Sequence, residues 1–170
     1  MMNSIIWPVE YLPGQTDNFV SNEVIISGLN SLDVWVYLET ATLWPSYYKN
    51  SADVVLNNAQ DHLSLGTEFF FKTFGFPVNA EVVEFIQPQQ NIAGRIAWYG
   101  WSGEGDTRLD VHHAWLIEDL SHNRVRVLTQ ETQIGQPAKE LAKTRPNPML
   151  NGHQEWLDGL IEIASTHSKG

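Results

Sequence analysis

The sequence predicts an α+β fold in which a curved antiparallel sheet of about seven strands wraps around a long C-terminal helix, with two short helices after the first strand. Three observations carry this reading. Apolar residues recur at helical spacing from Pro148 to Ala164. Between Ala52 and Gln133 the period is two, in six segments separated by short turns. Ahead of these, one strand-like segment leads into a stretch, Asn30 to Lys49, that carries helix-start signals.

Each element has its own justification. Residues through about Asp17 contain Pro8, Pro13 and Gly14 and read as an extended lead-in. Phe19 to Ser27 forms the first strand and stops at Gly28. Asn30 or Ser31 caps a helix from about Leu32, with Asp33 in the first turn, where the helix dipole favours a carboxylate. A shorter helical piece spans Leu43 to Lys49, its Pro45 early enough to suit a helix start. The six further strands are Ala52–Ala59, Gly66–Phe74, Val78–Ile86, Ile92–Trp101, Arg108–Glu118 and Arg124–Gln133. Links this short, such as Ser121-His-Asn123, join neighbours only as an antiparallel meander. Pro137 opens a short helix through about Lys143, and Pro146 and Pro148 separate it from the last one.

On that last helix, at 100° per residue, Met149, Leu150, Trp156, Leu157, Leu160, Ile161, Ile163 and Ala164 fill an arc of roughly 160°. Asn151, Glu155, Asp158 and Glu162 take the other side. His153 falls near the middle of the apolar arc, where an imidazole meets core or cavity. A sheet curled around one helix leaves a cavity unless bulky side chains fill it. This order of elements is that of the helix-grip architecture.

Composition narrows the function. The 170 residues suit a single domain, and 42% hydrophobic content with 11% aromatics suits a packed core. Ten basic residues against 20 acidic ones leave a net charge of −10, which repels nucleic acid and anionic lipid. There is no cysteine, so disulfides, thiolate metal sites and a Cys nucleophile are excluded. No leader or spanning segment is read, so a cytoplasmic protein with no membrane insertion is expected. Neither a His-Glu-x-x-His nor a Gly-x-Ser-x-Gly pattern occurs, and His112 and His113 point to opposite strand faces; no cofactor and no metal are expected. Gly100-Trp-Ser-Gly-Glu-Gly105 reads as a hairpin turn, and Lys139, Lys143 and Arg145 as a solvated cluster.

Four segments resemble a known family. They are Leu43-Trp-Pro-Ser-Tyr-Tyr-Lys-Asn50; Gly66-Thr-Glu-Phe-Phe-Phe71 with Val82-Val-Glu-Phe-Ile-Gln-Pro88 and Ala97-Trp98; Asp110-Val-His-His-Ala-Trp115 with Thr129-Gln-Glu-Thr132 and Gly135; and Arg145-Pro-Asn-Pro-Met-Leu150 with His153-Gln-Glu-Trp-Leu157. Together they resemble the SRPBCC superfamily, the START/Bet v 1-like, polyketide cyclase/dehydrase-like group, from about Phe19 to Ala164. The resemblance implies a deep, largely apolar pocket. It brings no universal catalytic motif.

Strand alternation nominates the pocket residues. Leu109, Val111, His113, Trp115 and Ile117 form the inward face of their strand, opposite the more polar Arg108, Asp110, His112, Ala114 and Leu116. Ile92, Ile96 and Trp98 share a face, as do Val125, Val127, Thr129 and Glu131, and Glu84 shares one with Val82 and Ile86. The expected ligand-binding set is Trp98, His113, Trp115, Glu84, Glu131, His153 and Leu157; His113, His153 and Glu131 are the candidate acid–base groups. Packing of the tryptophans and internal hydrogen bonding of the histidines is the plainer account of the same residues. The expected function is binding of a small hydrophobic molecule (aromatic, lipid or polyketide-like) between helix and sheet. A polyketide cyclase or dehydratase is one alternative, and a protein-interaction module of the chaperone-activator type is another. Oligomeric state stays open, a homodimer included.

Overall fold

In the computed structural model, which describes residues 1–168, the period-two segments pair into one seven-stranded sheet. The strands are β1 (Asn18–Ser27), β2 (Ala52–Leu56), β3 (Glu68–Thr73), β4 (Phe76–Ile86), β5 (Gly94–Ser102), β6 (Leu109–Leu120) and β7 (Arg124–Ile134). Their order is β1-β7-β6-β5-β4-β3-β2, every neighbouring pair antiparallel. The meander β2 to β7 is thus extended by β1, which returns to lie beside β7. The helices are α1 (Ser31–Glu39), α2 (Trp44–Tyr47), α3 (Gln136–Lys143) and α4 (Pro148–Ser168). Asn30 caps α1 reciprocally: its side chain accepts from the Asp33 N–H at 3.0 Å, and the Asp33 carboxylate accepts from the Asn30 N–H at 2.9 Å. Among the described residues no helix is long and apolar enough to cross a membrane.

The helix α4 lies on the concave face of the sheet and buries Met149, His153, Trp156, Leu157, Leu160 and Ala164. Trp156 is the hub. Its ring stacks on Tyr48 with centroids 4.7 Å apart and meets Trp44 edge-on at 4.9 Å and Trp115 at 5.2 Å. One turn on, a Cβ at Gly159 would stand 2.1 Å from the Tyr47 carbonyl oxygen, so only glycine lets α2 and α4 approach this closely. Leu150, placed in the apolar arc by its angle, is 39% exposed, because it lies on the flank that faces away from the sheet.

The convex face corrects the reading of the lead-in. Ile5 and Trp7 pack on Ala97, Ala114, Leu116 and Leu128, a second small core on the far side of the sheet. Glu118 accepts from the Asn3 backbone N–H at 3.1 Å, and Arg126 donates to Glu118 at 2.8 Å and to Glu23 at 2.6 Å. The face read as the more polar one is therefore covered, not wet. Alternation distinguishes two faces but does not reveal that a preceding segment folds back over one of them.

Trp156→Ala removes the ring on which Tyr48, Trp44 and Trp115 converge, at a site only 1% exposed. The expected loss is about 3–5 kcal/mol in urea unfolding, from transfer energy plus the cavity left behind. An unchanged denaturation midpoint would contradict this packing.

Candidate functional site

Strand register builds the site. Val82, Trp98, His113, Glu131 and Val20 face one another in turn across β4, β5, β6, β7 and β1, forming one inward row. One row along the strands toward the start of β6 lie Val111, Gln133 and Asn18; on the other side lie Ile96, Trp115, Thr129 and Asn22. From the other layer, α4 lowers His153 onto this row. Its ring stacks on that of His113, with centroids 4.4 Å apart and planes 18° apart.

The hydrogen bonds fix the proton positions. The Thr129 hydroxyl donates to the Ala114 carbonyl at 3.1 Å, so its oxygen accepts from His113 Nε2–H at 2.8 Å. That tautomer leaves a lone pair on Nδ1, 3.2 Å from Glu131 Oε1. Burial pushes the Glu131 carboxyl up to about 8 and drives the His113 imidazole well below its usual value. The contact has the geometry of an ion pair, yet both shifts favour neutral partners. Glu131 is therefore the acid form near pH 7, its O–H donating to His113 Nδ1.

The other carboxyl oxygen is held by a directed chain of amides. The Met149 backbone N–H, which can only donate, gives its proton to Asn147 Oδ1 at 3.0 Å. Asn147 Nδ2 then donates to Asn18 Oδ1 at 2.9 Å, and Asn18 Nδ2 to Gln133 Oε1 at 2.8 Å. Gln133 Nε2 completes the chain by donating to Glu131 Oε2. The first turn of α4 is thereby tied to the carboxyl on the sheet.

His153 stands apart from these bonds. Burial lowers its pKa to about 3, so it is neutral, and its Nδ1 has no hydrogen-bond partner among the described residues. A buried polar atom left unpaired costs about 1–3 kcal/mol.

The three groups form the floor of a cavity of about 30 Å³. The walls are Phe71, Phe74, Phe76, Val78, Trp98, Leu109, Val111, Met149 and Trp156, with Thr73 and Gln133 as further polar members. This volume is far below the about 300–1,000 Å³ of a small-molecule pocket. The deep pocket implied by the resemblance is thus largely filled by aromatic rings. Phe74 closes its rim from the β3–β4 turn, at φ 52°, with its ring where a Cβ on residue 152 would stand, 2.0 Å from Cζ.

Of the residues nominated from sequence, Trp98, His113, Glu131 and His153 line the cavity. Trp115 does not: it has the right phase but lies one row further along β6, sealed beneath Trp156. Leu157 is likewise core, fully buried behind the wall. Glu84 is on the opposite face. A register shift between Val82 and Glu84 sets Glu84 across from Ala97, whose side chain belongs to the convex core, and this inverts the alternation beyond Val82. Ile92 precedes β5, in a turn, and is 48% exposed. Thr129 was placed on the inward face, but its bond to His113 was not foreseen. Asn18, Gln133, Asn147 and Phe74 were missed. Only Asn147 carried a signal, as a capping residue between two prolines at the head of a helix.

No family model matches the chain, and neither do the curated proteins. Solved structures do. A hypothetical protein from Helicobacter pylori is 51% identical, over 96% of this chain and 98% of that one, with a TM-score of 0.92. A norcoclaurine synthase point mutant from Thalictrum flavum, solved with a transition-state analogue, has a TM-score of 0.62 at 10% identity, covering 89% of this chain and 96% of its own. A START superfamily protein from Mycobacterium smegmatis has a TM-score of 0.56 at 12% identity, covering 85% and 97%. The chain thus has the α+β helix-grip fold that these last two structures share. By sequence, the chain belongs to the family of the Helicobacter pylori protein.

The Glu131 shift has a measurable consequence for stability. Between its unfolded value near 4.5 and its folded value of about 8, folding takes up a proton at Glu131, so stability falls as pH rises through this window. The buried histidines, their pKa values lowered from 6.5, act in the opposite sense, an effect that fades as pH rises past that value. The share of Glu131 is read as the difference between the native protein and Glu131→Gln, in which the histidines cancel. That difference in urea unfolding should shift by about 1–2 kcal/mol against the native protein between pH 6.5 and 8.

Proposed function

We propose that the protein binds a small, mostly apolar molecule carrying one oxygen function between α4 and the concave face of the sheet. The observation that carries this reading is the contrast between a wall of aromatic and aliphatic side chains and a floor of Glu131, His113 and His153. The apolar part of a ligand would bury area against the wall, and its oxygen function would meet His153 Nδ1, which carries no other hydrogen bond among the described residues. Entry requires Phe74 to swing off Gly152, which enlarges the cavity at the rim without disturbing the sheet. The solved synthase of similar fold, with its transition-state analogue, supports a ligand role for this architecture.

The convergence of proton donor and acceptor favours a second reading, acid–base catalysis of the cyclase or dehydratase kind. His153 would take a proton from an acidic carbon, while Glu131 would turn its O–H from His113 to the developing oxyanion. Acetylacetone supplies such a carbon. Its exchange with deuterated solvent, followed by NMR, should exceed the buffer rate with the native protein and fall to it with His153→Gln.

Binding itself is tested with the neutral fluorophore 1-N-phenylnaphthylamine. The native protein should enhance its emission, and Phe74→Ala should tighten binding about tenfold by removing the rim ring. Val111→Phe, which fills the cavity at a cost of about 1–3 kcal/mol in stability, should abolish it. No enhancement with either the native protein or Phe74→Ala would overturn the ligand reading.

A further inference from the structure

We propose that His113, Glu131 and His153 are the ligands of a divalent transition-metal ion, of the zinc or iron(II) class, on the cavity floor. The three residues are all buried, and one ligand atom from each lies within 4.8 Å of the others. His113 Nδ1 and Glu131 Oε1 already stand 3.2 Å apart. Two ligands of one ion, each bonded at about 2.0–2.1 Å, are separated by about 3.0–3.4 Å. The imidazole planes of His113 and His153 are stacked, 18° apart, so His153 completes the set by turning its ring about χ2 to aim a nitrogen at an ion held by the other two. Its Nδ1 is buried without a partner among the described residues, so a ligand bond there would break no existing hydrogen bond.

The surroundings are those of a ligand set. His113 donates its other ring N–H to Thr129, and Gln133 donates to the Glu131 oxygen that faces away from His113. Metal-binding imidazoles and carboxylates are oriented by outer bonds of this kind. Two imidazoles with one carboxylate suit zinc or iron(II), whereas calcium and magnesium call for a shell of oxygens. Three protein ligands would leave the ion open toward the cavity, whose volume of about 30 Å³ has room for water. The ion's entry displaces the proton that Glu131 donates to His113. The inference goes beyond the apolar-ligand reading, since it needs none of the cavity's walls.

The test uses the full chain, stripped with chelator and titrated with Co²⁺ in neutral buffer. One equivalent should produce visible d–d absorption, and Zn²⁺ should bleach it. The ring resonances of His113 and His153 should show large paramagnetic shifts in the native protein, a readout that depends on no variant. His153→Gln and Glu131→Gln, checked for folding by melting temperature, should each weaken Co²⁺ binding by about 100-fold or more. Thr129→Val should weaken it about tenfold while keeping the band. The surface variant His62→Gln should change nothing. A native protein without the band, or a band accompanied by shifts confined to surface histidines, overturns the proposal. So does an undiminished affinity in the folded His153→Gln variant. A protein that binds the fluorophore but gives no band loses only the metal site.

Discussion

A carboxyl group buried beneath a helix, with no cationic side chain against it among the described residues, is the constraint around which the rest of this interior is arranged. Taking Glu131 out of water penalises its charged form, and the group can remain only protonated and hydrogen-bonded, or bound to an ion. Both solutions require each oxygen to be held. His113 lies opposite one oxygen through strand register, and the amide chain from Asn147 reaches the other. The chain starts at a backbone N–H in the first turn of α4, so the docking of the helix and the orientation of the carboxyl are one event.

Packing reinforces this coupling. Trp156 and His153 are three residues apart on α4 and press on the same sheet rows, Trp156 on Trp115 and His153 on His113. The aromatic cluster sets the height of the helix above the sheet, and that height determines whether the imidazole of His153 stacks on His113 or misses it. The same aromatics reduce the cavity to about 30 Å³. A site of this form is tightly preorganised at its floor and adjustable at its rim. Phe74, on a turn with a left-handed backbone, is the wall residue least held by regular structure.

The sheet's second face shows how a small domain accommodates long strands. A twelve-residue strand such as β6 presents Ala114 and Leu116 outward as well as Trp115 and Ile117 inward. The N-terminal arm covers the outward pair, and the Asn3–Glu118–Arg126 contacts hold it there. His112 sits under that arm against Trp7 and Tyr11, with a pKa lowered to about 4. Adjacent histidines on one strand thus end in two unrelated buried environments.

The sequence by itself determined the element order, the helix caps and most side-chain phases, because these follow from local periodicities of two and 3.6 and from the backbone limits of proline, asparagine and glycine. It was enough to put Trp98, His113, Glu131 and His153 on inward faces. Tertiary structure alone decided what those faces meet. The register shift after Val82 turned Glu84 outward, and depth along the strand removed Trp115 and Leu157 from the cavity. Residues 18, 133 and 147 became one hydrogen-bonded chain although more than 110 positions separate Asn18 from Gln133. The approach of His153 to His113 is of the same kind: it depends on where a helix comes to rest on a sheet, and no local period encodes that distance.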